Sequence, residues 1–202
     1  MSTSARPRRR ADAERSISRI VSAAREVLGR DPDASIDDIV RAAGVGRMTL
    51  YGHFPNRAAL VDAALADALT AGEEVLSAVD LGGDARAALA RLIAPSWSLV
   101  AESAKLLQAA EGLLPAARIR ELHGDAATRV EDLVRRGQRQ GVFRTDLPLS
   151  WLVNVVHYVL NGAAEEHRAG RLSADDAPGV VIATVRSFLA PPADAAGENG
   201  ER

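Results

Sequence analysis

Apolar residues recur at intervals of three and four along almost the whole chain, and alternating strand-like patterns are almost absent. Such spacing puts the apolar side chains on one face of a helix, where they can pack against other helices. The first of these stripes contains Ile17, Ile20, Val21, Ala24, Val27 and Leu28. The pattern therefore predicts an all-α protein.

Glycine, proline and helix-capping residues divide this pattern into segments. We predict helices at about 12–29, 36–43, 47–54 and 57–79, then a break at Leu81 to Asp84. After the break, further helices are predicted at about 84–103, 104–113, 115–140, 149–170 and 174–189. The chain thus divides into a small N-terminal unit of short helices and a larger helical bundle.

Composition excludes several classes of protein. The 202 residues are 47% hydrophobic and 26% charged and contain no cysteine, so disulfides and thiolate metal sites are excluded. The N-terminus has no apolar core of a secretory signal, and no window holds about 18 uncharged apolar residues. We therefore expect a cytoplasmic protein with no membrane partner.

Charge is distributed unevenly along the chain. Residues 1–60 carry a net charge of +4, whereas the remainder carries −6. No acidic residue occurs between positions 39 and 61, although the chain has 27 acidic residues. Because a surface that contacts phosphates is not expected to carry carboxylates, this gap favours a polyanion partner for the N-terminal unit.

The gap contains the sequence GVGRMTLYGHFPNRAAL at 44–60. Gly44 and Gly46 begin like a Gly-rich phosphate loop, but Thr49 replaces the third glycine, a helix precedes the motif and no GK[ST] follows. A helix-turn-helix explains the order better. Ser35 and Asp38 form a capping box for the helix before the turn, and Gly44 ends that helix with a positive φ.

The helix after the turn has two different faces. Leu50 and Phe54, four residues apart, would pack against Ile39, Val40 and Val45. The outward side chains are ones that bind phosphate oxygens or base edges, and they are Arg47, Met48, Thr49, Tyr51 and His53. Arg57, at the start of the next helix, adds a cation.

The same residues resemble the DNA-binding domain of TetR-type transcriptional regulators. The resemblance covers about residues 13–65 and is carried by Ser35, Gly44-Val45, Thr49-Leu50-Tyr51, His53-Phe54 and Asn56-Arg57 through Leu60. It implies contact with double-stranded DNA for Ser35, Arg47, Met48, Thr49, Tyr51, His53 and Arg57, and a scaffold role for Ile39, Val45, Leu50 and Phe54. Gly46 replaces the family's usual serine cap, and Gly52 lies inside the recognition helix, so this helix is expected to be less rigid.

The resemblance also implies an order of domains. A disordered basic arm (1–11) would precede a three-helix DNA-binding domain (12–56) and a connecting helix (57–80). An effector-binding and dimerisation bundle (81–190) and a disordered tail (191–202) would follow. Arg6, Arg8, Arg9 and Arg10 could lie in a neighbouring minor groove or form only a solvated tail.

In the family the last two long helices pair with their copies as a four-helix dimer interface. Small and apolar residues of these helices are the candidates, although some of them could equally belong to the core within the chain. They are Val155, Val159, Gly162, Ala163, Val180, Val181, Thr184 and Phe188. A dimer would place two recognition helices in successive major grooves and would read a palindromic operator.

Polar and aromatic residues within apolar helices are the candidates for a pocket that binds an unknown small-molecule effector. They are Trp97, Gln108, His123, Trp151, Asn154, His157, Tyr158 and Asn161. With only 3% aromatic residues, the chain favours an aliphatic or mixed ligand.

No sequence motif indicates an enzyme. The four histidines lack metal-ligand spacing, and no nucleophile elbow is present, so we predict no catalysis, no metal and no cofactor. The sequence therefore predicts a homodimeric repressor that an effector releases from DNA. A regulator without an effector, or an activator of the same fold, stays the alternative.

Overall fold

The computed structural model describes residues 5–192, with side chains from residue 10 onward. Among these residues the regular elements are helices, and no strand occurs. Their bounds are α1 Ala5–Arg30, α2 Ile36–Ala43, α3 Arg47–His53, α4 Arg57–Ser77, α5 Ala85–Glu111, α6 Ala116–Leu122, α7 Gly124–Arg139, α8 Leu149–Arg168 and α9 Ala177–Leu189. The all-α prediction is confirmed.

Two divisions between helices differ from those predicted. The segments 84–103 and 104–113 form the single helix α5, because strong helix formers occupy the stretch between them and Pro95 is accommodated inside it. The segment 115–140 instead forms α6 and α7, which separate at His123 and Gly124. Glycine weakens a helix interior, and His123 has φ −90° and ψ 3°, outside the helical range.

Helix α1 begins at Ala5, within the arm that we expected to be disordered. Alanine and arginine are good helix formers, and Pro7 lies in the first turn, where its missing N–H has no helical partner to lose. The side chains of Arg6, Arg8 and Arg9 lie outside the described residues, as does the tail from 193 to 202. Arg10 forms an ion pair with Glu14 at 3.1 Å.

The chain forms two compact units. Residues up to 71 form the first unit together with 103–122, and residues 72–102 form the second together with 123–192. The segment 103–122 therefore packs with the N-terminal unit, whereas the sequence division placed it in the bundle. The reason is burial, because Leu106 and Ala110 belong to the same apolar cluster as Leu28 and Leu60.

Polar contacts also hold this segment in the first unit. Arg118 donates from Nε and Nη2 to the two carboxylate oxygens of Asp62 at 2.7 and 3.1 Å. These hydrogen bonds raise the pKa of Arg118. The Lys105 ammonium donates to the carbonyl of Arg30, the last residue of α1, at 2.6 Å.

In the second unit, α8 packs against both α7 and α9. The turn after α7 connects this helix to α9, because the Arg144 amide donates to the Leu189 carbonyl at 2.8 Å. Phe143 is buried against Gly137, where an added Cβ would come within 1.9 Å of its ring. Gly137 is therefore required by close packing.

Gly44, in the turn before α3, and Gly52, within α3, offer a matched test of backbone conformation. Gly44 has φ +61°, which disfavours any Cβ, whereas Gly52 is helical and has open space around it. We expect Gly44→Ala to lower the free energy of unfolding by about 1–2 kcal/mol. We expect Gly52→Ala to raise it by about 0.5–1 kcal/mol. Urea denaturation measures both, and changes of the same sign would contradict this account.

Candidate DNA-binding surface

The turn between α2 and α3 has the predicted construction. The Asp38 amide donates to the Ser35 hydroxyl, and an Asp38 carboxylate oxygen accepts from the Ser35 amide, so the capping box is complete. Gly44 adopts the left-handed conformation, with its amide directed to the carbonyl of Arg41 at 3.3 Å. Gly46 begins α3 without a side-chain cap. The chain therefore reverses tightly between two short helices.

One face of α3 is buried, and the other is open to solvent. Leu50 is fully buried and Phe54 is 8% exposed, and Val45 packs against the same cluster. Arg47 and Thr49 are exposed, while Met48 is 87% and Tyr51 47% exposed. His53 is half-buried. The scaffold positions are thus separated from the positions predicted to contact DNA.

Arg47 does not extend alone into solvent. Its Nε and Nη2 donate to the two carboxylate oxygens of Asp37, in the first turn of α2. This hydrogen bonding lowers the pKa of Asp37 and raises that of Arg47. Sequence reasoning missed the pair because Asp37 is ten residues away and just outside the acid-free segment. Only the crossing of α2 and α3 brings the two side chains together.

Two other predicted DNA contacts have structural partners. Arg57 donates to the backbone carbonyls of Ala34 at 2.5 Å and Pro32 at 2.9 Å, and so holds the α1–α2 turn against the start of α4. The Ser35 hydroxyl donates to an Asp38 carboxylate oxygen at 2.6 Å. DNA contact by Arg57 and Ser35 stays a prediction, but both side chains already stabilise the turn.

The predicted effector residues do not form one cluster. Gln108 is exposed and belongs to the first unit, and the other seven belong to the second. Trp97 is buried, and its ring lies edge-on to the ring of His167, with the two ring centroids 5.7 Å apart. His157 is half-buried, and its Nδ1 lies 2.9 Å from the Val153 carbonyl. Burial lowers the pKa of His157 below its ordinary 6.5, so this ring is neutral at neutral pH.

Another part of that set lies on the solvent-facing side of α8. Trp151 is 49% and Tyr158 64% exposed, and Asn154 and Asn161 are exposed as well. Trp151 and Tyr158 are seven residues apart, so both lie on one face of the helix. The sequence pattern could not separate this face from a pocket, because aromatic residues suit either environment. His123 is half-buried.

The residues predicted for dimerisation fall into three groups by their exposure to solvent. Gly162, Val180 and Thr184 are exposed, and Val155, Val159 and Phe188 are half-buried. Ala163 and Val181, at 8% and 1% exposed, pack inside the unit. Val180 and Thr184 are four residues apart on α9, so they share a face in the same way as the aromatic pair of α8.

Comparison with known proteins identifies the helix-turn-helix. Residues 20–64 match the model of bacterial regulatory proteins of the tetR family. Residues 20–64 therefore form a TetR-type DNA-binding domain. This segment contains the turn at Gly44, the buried Leu50 and the exposed face of α3, so the chain is a DNA-binding regulator. No curated protein matches the sequence.

Solved structures extend the likeness over most of the chain. The TetR-like regulator LfrR from Mycobacterium smegmatis, in complex with proflavine, has a TM-score of 0.70 at 21% identity, covering 87% of this chain and 97% of that one. A TetR-family regulator from Agrobacterium tumefaciens has a TM-score of 0.70 at 18% identity, covering 88% of this chain and 99% of that one. The fatty acid degradation regulator FadR from Bacillus halodurans has a TM-score of 0.69 at 18% identity, covering 85% of this chain and 98% of that one. At these identities the likeness shows the fold.

The described residues contain neither a membrane-spanning helix nor a cluster of metal-binding side chains. No helix between residues 5 and 192 combines the length and the hydrophobicity needed to cross a bilayer. Within the same range, no three His, Asp or Glu side chains are grouped as they would be to hold a metal ion.

Because Asp37 pairs with Arg47, we expect the Asp37 carboxylate to lower the affinity of the protein for DNA. Asp37→Asn removes a negative charge beside Arg47 and leaves its guanidinium without an internal competitor for phosphate. We expect tighter binding to DNA of arbitrary sequence, with the slope of log K against log salt steeper by about one unit. Fluorescence anisotropy at several salt concentrations measures both.

Asp33→Asn is the matched control, because it removes the same charge from the preceding turn, where Asp33 is exposed. Equal effects of the two substitutions would mean that net charge, rather than the pairing of Arg47, controls affinity.

Proposed function

We propose that this chain is a homodimeric transcriptional repressor, which a small-molecule effector releases from a palindromic operator. The observation that carries the proposal is the exposed face of α3 beside its buried underside. Arg47, Met48, Thr49 and Tyr51 project from a helix whose position is set by the burial of Leu50. Such side chains can hydrogen-bond to phosphates and base edges or contact a thymine methyl group.

Roles for the remaining predicted contacts follow from their surroundings. His53, half-buried at the end of α3, is proposed to reach a phosphate oxygen. Arg57 and Ser35 are proposed to act mainly through the α1–α2 turn and the start of α2, with DNA contact as a second role. The first compact unit would be the DNA-binding head, and the second would carry dimerisation and effector binding.

Dimerisation is supported by the apolar surface of α8 and α9. Trp151, Tyr158 and Val180 are large side chains that remain about half exposed in the single chain. A soluble surface seldom retains large apolar side chains in number unless they meet a partner. Two copies that pair through this surface would present two α3 helices to successive major grooves about 34–36 Å apart.

Effector release needs a difference in ligand affinity between the DNA-bound and released states. The second unit has grooves that could hold a small molecule, and the fold likeness to a regulator solved with proflavine supports such a role. None of the eight effector residues predicted from sequence lines the groove beside α7.

The operator is the first test. Footprinting of the purified protein on genomic DNA is expected to return a palindromic site. Arg47→Ala is then expected to weaken operator binding by about tenfold to a hundredfold, which corresponds to about 1–3 kcal/mol. Arg135→Ala, on α7, removes the same charge from the second unit and is the control. Normal operator binding by Arg47→Ala would contradict the assignment of α3.

The chain has only two tyrosines. Tyr51 lies on the proposed DNA-binding surface and Tyr158 on the proposed dimer interface, so substitutions of the two distinguish DNA binding from dimerisation. Tyr51→Ala is expected to lose operator affinity while the dimer stays intact. Tyr158→Asp is expected to dissociate the dimer, because it places a charge in an apolar interface, and to lose operator affinity as a consequence. Sedimentation and anisotropy measure the two properties. A dimeric Tyr158→Asp variant would show that α8 does not form the interface.

A further inference from the structure

Met48 is the most exposed large apolar side chain among residues 10–192, at 87%. The next, Tyr158 on α8, is 64% exposed. A single exposed apolar side chain needs no explanation on most surfaces. Met48, however, is the second residue of α3, and the residues at the start of the second helix of a helix-turn-helix are the ones that reach base edges. Its exposed side chain therefore lies where a DNA base would meet it.

The neighbours of Met48 in the first turn of α3 reach less far into solvent or are already engaged. Arg47 donates from Nε and Nη2 to both carboxylate oxygens of Asp37, so the edge of its guanidinium that would bind a guanine is occupied. Gly46 has no side chain, and Thr49 has a short one. Among the described residues of this turn, Met48 is consequently the long side chain that forms no hydrogen bond within the chain.

Gly52 shares a face of α3 with Met48, because the two residues are four positions apart. A Cβ added at Gly52 would meet no atom within 4 Å, so packing within the chain does not require a glycine there. A residue without a side chain allows the helix backbone to approach a ligand closely. Gly52 therefore lets the face that carries Met48 come close to DNA.

Thymine is the DNA base whose major-groove edge an apolar side chain can recognise. It carries a C5-methyl group there, whereas guanine, adenine and cytosine present hydrogen-bonding groups. Methionine has no side-chain donor, and its thioether sulfur accepts hydrogen bonds only weakly. Against those three bases it would displace water without replacing the lost hydrogen bonds, which costs free energy. Met48 thus favours thymine both by contact with the methyl group and by discrimination against the other bases.

We propose that Met48 is a specificity-determining residue that selects thymine in the operator. Its side chain contacts the C5-methyl group of one thymine in the major groove of each half-site. This role rests on the proposed function, because it requires α3 to enter the major groove of a palindromic operator. It adds to that function the base that one side chain reads and the group through which the base is read.

Deoxyuridine is the probe, because it has the hydrogen-bonding groups of thymine and lacks the methyl group. In the operator returned by footprinting, each thymine is replaced in turn by deoxyuridine, and fluorescence anisotropy measures binding of the full chain. One thymine in each half-site is expected to respond. Its replacement is expected to weaken binding about fourfold, as for one buried methyl group, and replacement in both half-sites about fifteenfold.

Met48→Ala separates this contact from the rest of the surface. Because Met48 is exposed and alanine is a strong helix former, the variant is expected to fold. It is expected to bind the thymine and deoxyuridine operators equally, within about twofold, since the partner of the methyl group is gone. Met48→Leu keeps an apolar contact and is expected to retain the discrimination. Thr49→Ala is the matched control, because it removes a neighbouring exposed methyl group and is expected to leave the deoxyuridine penalty unchanged.

The proposal is overturned if no deoxyuridine replacement weakens binding, if the penalty persists in Met48→Ala, or if Thr49→Ala removes it instead. An operator that Arg47→Ala no longer binds, but that shows no dependence on a thymine methyl group, would contradict the role of Met48 and leave the proposed function standing. If footprinting returns no operator, the proposed function fails, and the role of Met48 fails with it.

Discussion

Burial of Leu50 beneath α3 is the interaction on which the DNA-binding surface depends. A helix of seven residues cannot be stable by itself, because nucleation costs more than so few hydrogen bonds return. Its N-cap, Gly46, offers no side-chain oxygen, and Gly52 weakens its interior. Burial of Leu50 and Phe54 consequently fixes the position of α3, and the ion pair between Arg47 and Asp37 joins its first residue to α2.

Arginine has different roles in this chain, and the surroundings of each side chain determine which one it has. Arg118 and Arg129 join separate helices through carboxylates, and Arg57 holds a turn through two backbone carbonyls. Arg47 lies on the proposed DNA surface but pairs with Asp37. Arg136 alone among these five has buried nitrogens with no acceptor in the described part of the chain. The same planar donor group therefore serves both the architecture and the proposed recognition of DNA.

Local patterns predicted the helix-turn-helix closely, since its determinants are short-range. The capping box at Ser35 and the positive φ of Gly44 depend on a few neighbouring residues. Predictions for α8 and α9 were less complete. Trp151 and Tyr158, assigned to a pocket, are exposed, and Val181, assigned to an interface, is buried within the unit. Helical periodicity groups residues into faces, but it does not say which neighbour covers each face.

The sequence by itself determined the fold class, the order of the helices in the N-terminal unit and which side of α3 is apolar, because these follow from spacing and capping over a few residues. Only the tertiary structure decided that residues 103–122 pack with the N-terminal unit, that Asp37 binds Arg47 and that Arg136 lies in a groove without an acceptor. Each of these depends on helices that are distant in sequence meeting at a particular angle. Local spacing carries no information about that angle.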